Sequence, residues 1–419
     1  MSGGDDFDLD AMERRRQRAQ QRTESLRDER RGNQRSRMRR SHRRRRAAAL
    51  GVIAVVVCVA AGAWTSLGGA GQPRVSLGHR PAAVIPKVGI PKKPKSSNHI
   101  AMPKIVRGIH VSLAIAGSPA RMNQFFDLTT KGLNTLEIDV KDENGQVGFV
   151  AGAPALARKI GATRNYYNAR QLIREAHAAG IYVIGRIVCF EDPILSQAEP
   201  QHAIRTTSGG VWTNASGLGW TNEYDPFVWN YLKSLSIDAA KMGFDEIQYD
   251  YVRFPTDGNV SDAVWPHKVN ESYNNTIYRF LKDMRAAIKP LGVNISANVF
   301  GLSAHENLHI GQDPTKIGPL LDAISPMAYP SHYSSGEYNL TNPDSEPGAT
   351  VTFTMGDFRA ALSGSSKTII RPWLQDFSLG HTYTLADVVA QTTAAERGGA
   401  GGWLLWNADD VYHTGALGD

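Results

Sequence analysis

Beyond residue 107, two patterns of apolar residues alternate along the chain. Short apolar runs rich in β-branched side chains predict buried strands, and stretches with apolar residues every three or four positions predict amphipathic helices. Because strands and helices take turns, the strands should pair in parallel. The predicted strands are 108–113, 134–141, 181–190, 244–252, 293–300, 323–329, 368–376 and 402–407. The predicted helices include 169–179, 227–242, 273–289, 353–362 and 385–397.

The connections between these elements predict which side of the domain carries the function. Helix-to-strand turns are short and contain glycine, as at Gly132, Gly180 and Gly243, where a left-handed residue can end a helix. Strand-to-helix loops are long and polar, at 142–167, 191–225, 253–270 and 330–352. This asymmetry favours an α/β fold, a (β/α)8 TIM barrel whose active site lies in the long loops. A doubly wound open sheet is less favoured, because no glycine-rich phosphate loop follows the first strand.

The chain before residue 106 lacks this alternation and predicts three further regions. Residues 1–46 are Arg-rich without apolar periodicity, which predicts a disordered cytoplasmic tail. Residues 47–67 contain no charge and predict one transmembrane helix. The arginines before it predict a single-pass type II protein of the cell membrane, with an extracytoplasmic linker at 68–105 and the barrel at 106–419. A cleaved signal peptide is less favoured, because its basic segment would be far longer than such segments usually are.

Charge is distributed unevenly along the chain, and this changes which partners the sequence predicts. The formal net charge is +7, but residues 1–46 hold 16 Arg against 8 acidic residues, whereas 108–419 hold 23 basic and 32 acidic residues. The acidic barrel is therefore not expected to bind nucleic acid. The Arg-rich tail is expected to contact anionic lipid headgroups at the membrane. The two cysteines, Cys58 and Cys189, exclude a disulfide scaffold and a Cys-based zinc site.

Polar residues recur at every second position of several predicted strands. Glu246, Gln248 and Asp250 alternate with apolar or aromatic residues on the fourth strand, so all three should face the barrel interior. Asp250 ends this strand and Asp376 ends the seventh, where barrel enzymes place catalytic groups. Carboxylates beside aromatic faces are typical of carbohydrate sites, in which rings stack on sugars. The candidate substrate contacts are Asp139, Lys141, Arg186, Arg253, Tyr329, His332, Trp373, Gln375, Trp406 and Asn407.

Several candidates also have a structural interpretation. Glu246 lies deeper in its strand and is expected to pair with an arginine at the barrel base. Arg253 follows Asp250 closely enough to pair with it, and losing a structural Asp250 would then cost stability. His332 is as consistent with a hydrogen bond that fixes its loop as with substrate contact. His305 and His309 lack the spacing of recurring metal sites, so no metal or cofactor is expected.

Residues 244–255, FDEIQYDYVRFP, form a recognisable signature. The stretch resembles the bacterial family of putative glycoside hydrolase domains of unknown specificity, (β/α)8 barrels distantly related to those of α-galactosidase and α-amylase. The resemblance implies a glycosidase-like barrel over 106–412 in which Asp250 is the nucleophile. Asn298 stands where members of the family often have Asp. Further matching stretches are LEIDVKD (136–142), GIYVIGRIVCFEDP (180–193), ISPMAYPSHY (324–333), IRPWLQDF (370–377) and GWLLWNA (402–408).

These features are consistent with functions of different classes. The favoured one is a membrane-anchored glycoside hydrolase that cleaves an envelope or extracellular polysaccharide with two carboxylates, Asp250 and Asp376. Retention, the expected outcome, needs the carboxyl groups about 5 to 5.5 Å apart, and inversion about 6.5 to 9.5 Å. The alternative is a non-catalytic glycan-binding barrel in cell-envelope assembly, which Asn298 favours. A metal-dependent deacetylase would need a cluster of His and Asp ligands that the sequence does not show.

Overall fold

The computed structural model describes residues 99–364 and 367–418. Within these ranges, eight parallel strands close into a barrel, each pairing with its neighbours in chain order and the last with the first. The predicted TIM barrel is confirmed, and an open sheet is excluded because the seventh strand pairs with both the sixth and the eighth. The strands are β1 Val106–Val111, β2 Thr135–Lys141, β3 Tyr182–Val188, β4 Glu246–Asp250, β5 Asn294–Phe300, β6 Ala323–Ala328, β7 in two pieces, Ile369–Ile370 and Trp373–Gln375, and β8 Gly402–Trp406.

Helices connect the strands around the outside of the barrel. The five predicted helices are all present, but the one predicted at 353–362 begins at Pro347, because proline is accommodated in the first turn of a helix. Five further helices were not predicted: two between β1 and β2, Leu113–Ala116 and Pro119–Asp127, and the short helices Ala155–Lys159, Pro193–Ala198 and Pro314–Ile317. In the described residues the helices are α1 Leu113–Ala116, α2 Pro119–Asp127, α3 Ala155–Lys159, α4 Ala169–Ala178, α5 Pro193–Ala198, α6 Pro226–Met242, α7 Tyr273–Ile288, α8 Pro314–Ile317, α9 Pro347–Ala361 and α10 Leu385–Arg397.

The break in β7 has a local cause in the sequence. Pro372 separates the two pieces, and proline has no backbone N–H to donate to a neighbouring strand. The chain still stays in the barrel, because the N–H of Arg371 donates to Ile324 at 2.9 Å and the carbonyl of Pro372 accepts from Leu404 at 3.0 Å. The predicted strand 368–376 is therefore correct in place and shorter in extent.

The start and end of α6 show how sequence signals fix the elements on either side of the site. Asp225 caps the helix by accepting a hydrogen bond from the N–H of Phe227, and Pro226 occupies the first turn. Gly243 ends the helix with φ of 116°, a conformation that glycine adopts without steric cost. The chain then turns directly into β4, whose carboxyl end carries Asp250.

The loops after β3 and β4 pack against each other. Arg205–Thr206 and Ala263–Val264 form a two-stranded antiparallel ladder between them. The indole of Trp212 adds a hydrogen bond to the carbonyl of Asn259 at 2.8 Å. Loops that would otherwise be long and separate thus form one layer at the carboxyl ends of the strands, which is where barrel enzymes bind ligands.

A buried ion pair lies inside the barrel below that layer. Glu246 on β4 accepts hydrogen bonds from both terminal nitrogens of Arg371, and neither side chain is exposed. The hydroxyls of Ser296 and Tyr182 donate to the same carboxylate, the latter at 3.0 Å. Glu246 is thus the partner of an arginine, and it does not line the cavity described below.

The described chain begins against the barrel. The N–H of Ile100 donates to Oδ1 of Asp245 at 2.8 Å, and Ile100 and Met102 pack on a buried apolar cluster that includes Tyr182 and Trp373. The tail predicted at 1–46, the membrane helix predicted at 47–67 and most of the linker predicted at 68–105 lie outside the described residues. Within the described part of the chain, none of the helices combines the length and apolar character needed to cross a bilayer.

Candidate active site

A cavity of about 530 Å³ opens at the carboxyl ends of the barrel strands. This is a typical size for a small-ligand site. Its wall is assembled from distant parts of the sequence, because neighbouring strands bring their ends together. Half of the predicted site residues line it, namely Asp250, Arg186, Arg253, Tyr329, His332 and Trp406.

Asp250 is fixed at the end of β4 by two hydrogen bonds. Its Oδ2 accepts from Nε of Arg186 at 2.8 Å, and its Oδ1 accepts from the N–H of Tyr251 at 2.8 Å. Tyr251 has φ of 47°, a left-handed conformation that is strained for a residue other than glycine. Strain of this kind concentrates at functional sites. The ion pair differs from the sequence expectation, because β3 supplies the cation and Arg253 does not pair with Asp250.

Arg186 connects Asp250 to a second carboxylate, Asp139 on β2. Nη1 of Arg186 donates to Oδ1 of Asp139 at 2.7 Å, and Oε2 of Glu143 lies 3.6 Å from the same nitrogen. The guanidinium also lies over Trp406, 5.1 Å from the ring centroid. Asp139 does not itself line the cavity, and its carboxylate holds the guanidinium of Arg186.

Three buried titratable groups, His110, Glu137 and Asp139, lie behind Arg186. Nε2 of His110 is 3.3 Å from Oδ1 of Asp139 and 3.9 Å from Oε2 of Glu137. Burial raises the pKa of Glu137 to about 8, although His110 and Arg186 oppose the shift. Burial alone would also raise the pKa of Asp139, but Arg186 and His110 together hold it below its ordinary value. At neutral pH Glu137 is therefore mostly protonated while Asp139 is ionised.

Aromatic side chains form another part of the cavity wall. The ring centroids of Tyr329 and His332 are 5.5 Å apart, and Phe377, which does not itself line the cavity, supports Tyr329 with its centroid 5.7 Å away. Trp406 is half-buried and packs edge-on against Trp373, with centroids 5.7 Å apart. Aromatic faces with polar neighbours suit sugar rings, which have an apolar face and a rim of hydroxyls.

Asp376, the second predicted catalytic residue, does not line the cavity. The backbone N–H of His413 donates to Oδ2 of Asp376 at 2.8 Å, and Nδ1 of the same histidine lies 2.6 Å from Oδ1. Burial raises the pKa of Asp376, and these contacts with His413 oppose the shift. The structure thus places this carboxylate where β7 meets the C-terminal segment of the chain.

Lys141 and Trp373 are fully buried, and neither lines the cavity. Nζ of Lys141 donates to the carbonyl of Val188 at 2.7 Å and pairs with Oδ2 of Asp192 at 3.0 Å. Nε1 of Trp373 donates to Oδ1 of Asn298 at 2.8 Å. Strand alternation predicted that both side chains point into the barrel, but it did not predict how deeply they are buried. Their polar atoms bind other groups of the protein.

Gln375 and Asn407 hold loops near the cavity without lining it. Oε1 of Gln375 accepts from the N–H of Ser331 at 3.0 Å. The amide of Asn407 donates to the backbone oxygen of Asp376. Both side chains satisfy backbone groups at strand ends, where the regular barrel hydrogen bonds stop.

Sequence reasoning missed two carboxyl groups, that of Asp257, which lines the cavity, and that of Glu191, which lies beside the cavity without lining it. Glu191 follows the end of β3, and its Oε2 accepts from Nδ2 of Asn214 at 2.7 Å and from the indole of Trp220 at 3.2 Å. Burial raises the pKa of Glu191 to about 7, with Arg253 opposing and Asp257 adding to the shift. A carboxyl group titrating near neutral pH is suited to general acid–base catalysis. Its position after a barrel strand was the available signal, but its partners lie in a long loop.

The described residues offer polar groups for an organic ligand. In residues 99–364 and 367–418, no group of three or more His, Cys, Asp or Glu side chains is arranged to hold a metal ion. Besides Asp250 and the two arginines, the cavity is lined by the carboxylate of Asp257 and the amides of Asn298 and Gln312. This mixture of charged, amide and aromatic groups can hydrogen-bond the hydroxyls of a carbohydrate.

Solved structures share the fold. The glycoside hydrolase domain of PgaB (BpsB) from Bordetella bronchiseptica is 12% identical, with a TM-score of 0.50, over 73% of this chain and 95% of that one. Alpha-L-fucosidase isoenzyme 2 from Paenibacillus thiaminolyticus is 14% identical, with a TM-score of 0.50, over 75% of this chain and 47% of that one. At these identities the likeness shows the fold alone. A hypothetical protein from Ruminiclostridium thermocellum ATCC 27405 is 34% identical over 45% of this chain and 96% of its own, with a TM-score of 0.42.

A family model covers the barrel. Its description is "Putative glycosyl hydrolase domain", and it matches residues 108–412. None of the curated proteins matches the chain. The matched range runs from β1 past the end of β8 and includes the strand ends that form the cavity. The resemblance inferred from the signature at 244–255 is thereby confirmed, and the chain belongs to the family of putative glycosyl hydrolase domains.

Proposed function

We propose that the protein is a membrane-anchored, extracytoplasmic glycoside hydrolase that cleaves an envelope or extracellular polysaccharide with two carboxylates. The observation that carries the proposal is Asp250, a carboxylate fixed at the end of β4 in a cavity with an aromatic wall. The family match supports the reaction class. The test is a screen of the full-length protein against cell-wall polysaccharides, with release of reducing ends as the readout and Asp250→Asn as the inactive control.

In the proposed mechanism Asp250 attacks the anomeric carbon and forms a glycosyl–enzyme bond. The bond from that carbon to the leaving oxygen breaks, and a carboxylic acid gives its proton to this oxygen. The resulting carboxylate then takes a proton from water while the water oxygen bonds to the anomeric carbon and the bond from that carbon to Asp250 breaks, which releases the sugar and restores both carboxyl groups. Arg186 keeps Asp250 in position throughout, because it donates to Oδ2 and is itself held by Asp139.

We assign the acid–base role to Glu191 in preference to Asp376. Glu191 lies close enough to the cavity residues Tyr251, Arg253 and Asp257 to interact electrostatically with each of them. Asp376 instead binds His413 through both oxygens. A general acid works best when its pKa lies near the working pH, which is the range in which Glu191 titrates.

The pH profile provides a test of this assignment. Because burial raises the pKa of Glu191 to about 7, the acid is protonated below that pH and loses its proton above it. We expect kcat/KM on the polysaccharide found by the screen to fall as the pH rises through about 7. In Glu191→Gln this alkaline limb should disappear, and the rate should fall about 10²- to 10⁴-fold, the usual contribution of general acid–base catalysis.

Two comparisons make the test specific. Aryl glycosides with activated leaving groups need little protonation, so Glu191→Gln should lose much less activity on them. Glu223 also has a pKa raised by burial, to about 8, but its carboxylate is held by the indole of Trp265 and, of the cavity residues, only Arg253 acts on it, so Glu223→Gln should keep the alkaline limb. If Asp376→Asn removes the limb while Glu191→Gln retains it, the acid is Asp376.

A non-catalytic glycan-binding barrel is the second candidate, favoured by Asn298. Its side chain lines the cavity and accepts a hydrogen bond from Trp373, so an amide stands where the family often has a carboxylate. A barrel of this kind would bind polysaccharide with no release of reducing ends at any pH. Binding by the wild-type protein that is unaffected by Asp250→Asn would support it.

The predicted membrane topology has its own test. Because arginines crowd the cytoplasmic side of a membrane helix, the segment 1–46 should lie inside and the barrel outside. Protease added to intact spheroplasts should therefore digest the barrel and leave an N-terminal tag undigested. Digestion of the tag from outside would contradict this topology, and protease added after lysis is the control that the tag is cleavable.

A further inference from the structure

Arg253 is a buried cation at the wall of the cavity. It follows β4 by three residues, lines the cavity and is 8% exposed. Two hydrogen bonds fix its Nη1, one to the carbonyl of Phe254 at 3.1 Å and one to the hydroxyl of Thr256 at 3.2 Å. The guanidinium is therefore held in one orientation by the loop that carries it.

Three aromatic rings surround the same guanidinium. Its central carbon lies 5.0 Å from the ring centroid of Trp220, 5.3 Å from that of Tyr251 and 4.9 Å from that of Phe300. The rings stabilise the charge through cation–π contacts. They also exclude water from it, which strengthens any interaction with an anion.

No carboxylate of the described residues lies within 4.0 Å of Arg253, and none of these residues accepts a hydrogen bond from its Nε or Nη2. Glu191, Asp257 and Asp250 act on it only from a greater distance. Arg186 in the same cavity differs, since carboxylates bind it at 2.8 Å and 2.7 Å. Burial lowers the pKa of Arg253, yet an arginine remains charged at neutral pH. A buried cation without a paired anion is costly, and such groups are retained where they serve a function.

We propose that Arg253 binds the carboxylate of an acidic sugar, so that the substrate is a glycan containing hexuronic acid. The two nitrogens without a protein acceptor, Nε and Nη2, form one edge of the guanidinium and match the two oxygens of a carboxylate. Arg253 and Asp250 line the same cavity, so the acidic sugar lies at or next to the bond that is cleaved. This inference rests on the proposed function for its substrate class, but its test does not depend on cleavage.

The test measures binding of monosaccharides to the full-length protein by saturation-transfer NMR. D-glucuronic and D-galacturonic acids are compared with D-glucose and D-galactose, which differ from them only in having a neutral hydroxymethyl group in place of the carboxylate. At low salt we expect the hexuronic acids to bind at least about tenfold more tightly, as a charge-assisted pair in a dry site provides. Arg253→Gln should abolish this preference, and Arg253→Lys should keep part of it, because lysine retains the charge without the two-nitrogen edge.

Arg279→Gln is the matched control. Arg279 also lies over an indole, 5.6 Å from the ring centroid of Trp229, but on an outer helix and with Glu271 as its partner. Its substitution should leave the preference for hexuronic acids unchanged. Equal binding of acids and hexoses by the wild-type protein, no binding of the acids, or a preference that survives Arg253→Gln would each overturn the proposal. Tighter binding of D-glucose 6-sulfate than of the acids would also overturn it, by assigning the site to sulfated sugars.

These outcomes are separate from those that test the hydrolase. If the wild-type protein does not prefer hexuronic acids, but the Glu191 and Asp250 variants lose cleavage as expected, the protein is a glycosidase that acts on neutral glycans. A clear acid preference without any cleavage would instead leave a barrel that binds acidic glycans.

Discussion

Asp250→Asn should abolish glycan cleavage and leave the fold nearly intact. The amide is no nucleophile, so kcat should fall at least about a thousandfold, as it does when a covalent catalyst is removed. The expected loss in the free energy of unfolding is about 1.5 to 3 kcal/mol, the scale of one hydrogen bond to a charged group. It is no larger because Arg186 keeps Asp139 at 2.7 Å, and the substituted side chain still accepts from the N–H of Tyr251.

The measurements are steady-state rates and urea unfolding of the same preparations. Asp283→Asn makes the same chemical change at a surface carboxylate that pairs with Lys233, and both quantities should stay nearly unchanged. Full activity of Asp250→Asn would show that the nucleophile is another group. A variant that is mainly unfolded would show that Asp250 has a structural role.

Glu246→Gln should have the opposite effect, on stability rather than on rate. Glu246 is fully buried and accepts from both terminal nitrogens of Arg371. The substitution leaves a buried guanidinium without a counter-charge, which costs about 3 to 5 kcal/mol in unfolding free energy. The activity of the protein that remains folded should change little, because Glu246 does not line the cavity.

A double variant shows whether the unpaired charge is the cause. Glu246→Gln combined with Arg371→Met removes both charges and should be less destabilised than Glu246→Gln alone. Glu396→Gln provides a surface control, since its carboxylate is about half exposed and lies 3.9 Å from Arg107. Its unfolding free energy should change by less than about 1 kcal/mol. A Glu246→Gln protein as stable as the wild type would contradict the importance of this ion pair.

The strand order and the side of the barrel that carries the site followed from the sequence because both depend on local signals. Each predicted strand overlaps a barrel strand, since periodicity and glycine turns act within about ten residues. The predicted extent was too long at Pro372, which divides β7 into two short pieces. Proline removes one backbone donor without reversing the direction of the chain.

The site was predicted in part for the same reason. Alternation along β4 placed Asp250 on the inner face at the strand end, and the structure finds it in the cavity. Alternation does not indicate how deeply a side chain is buried. It therefore also led to Lys141 and Trp373 as candidate substrate contacts, although their polar atoms bind Val188 and Asn298. Depth depends on strand tilt and on the neighbouring strands, which are distant in the sequence.

The sequence by itself determined the barrel, the family and the position of Asp250 at the carboxyl end of its strand. Only the tertiary structure decided the electrostatic partners: Arg186 pairs with Asp250, Glu191 is buried enough to titrate near neutral pH, and no carboxylate among the described residues lies within 4.0 Å of Arg253. The physical reason is the separation along the chain of the residues that determine each property. Secondary structure is specified by neighbours along the chain, whereas burial and charge pairing depend on residues that folding alone brings together.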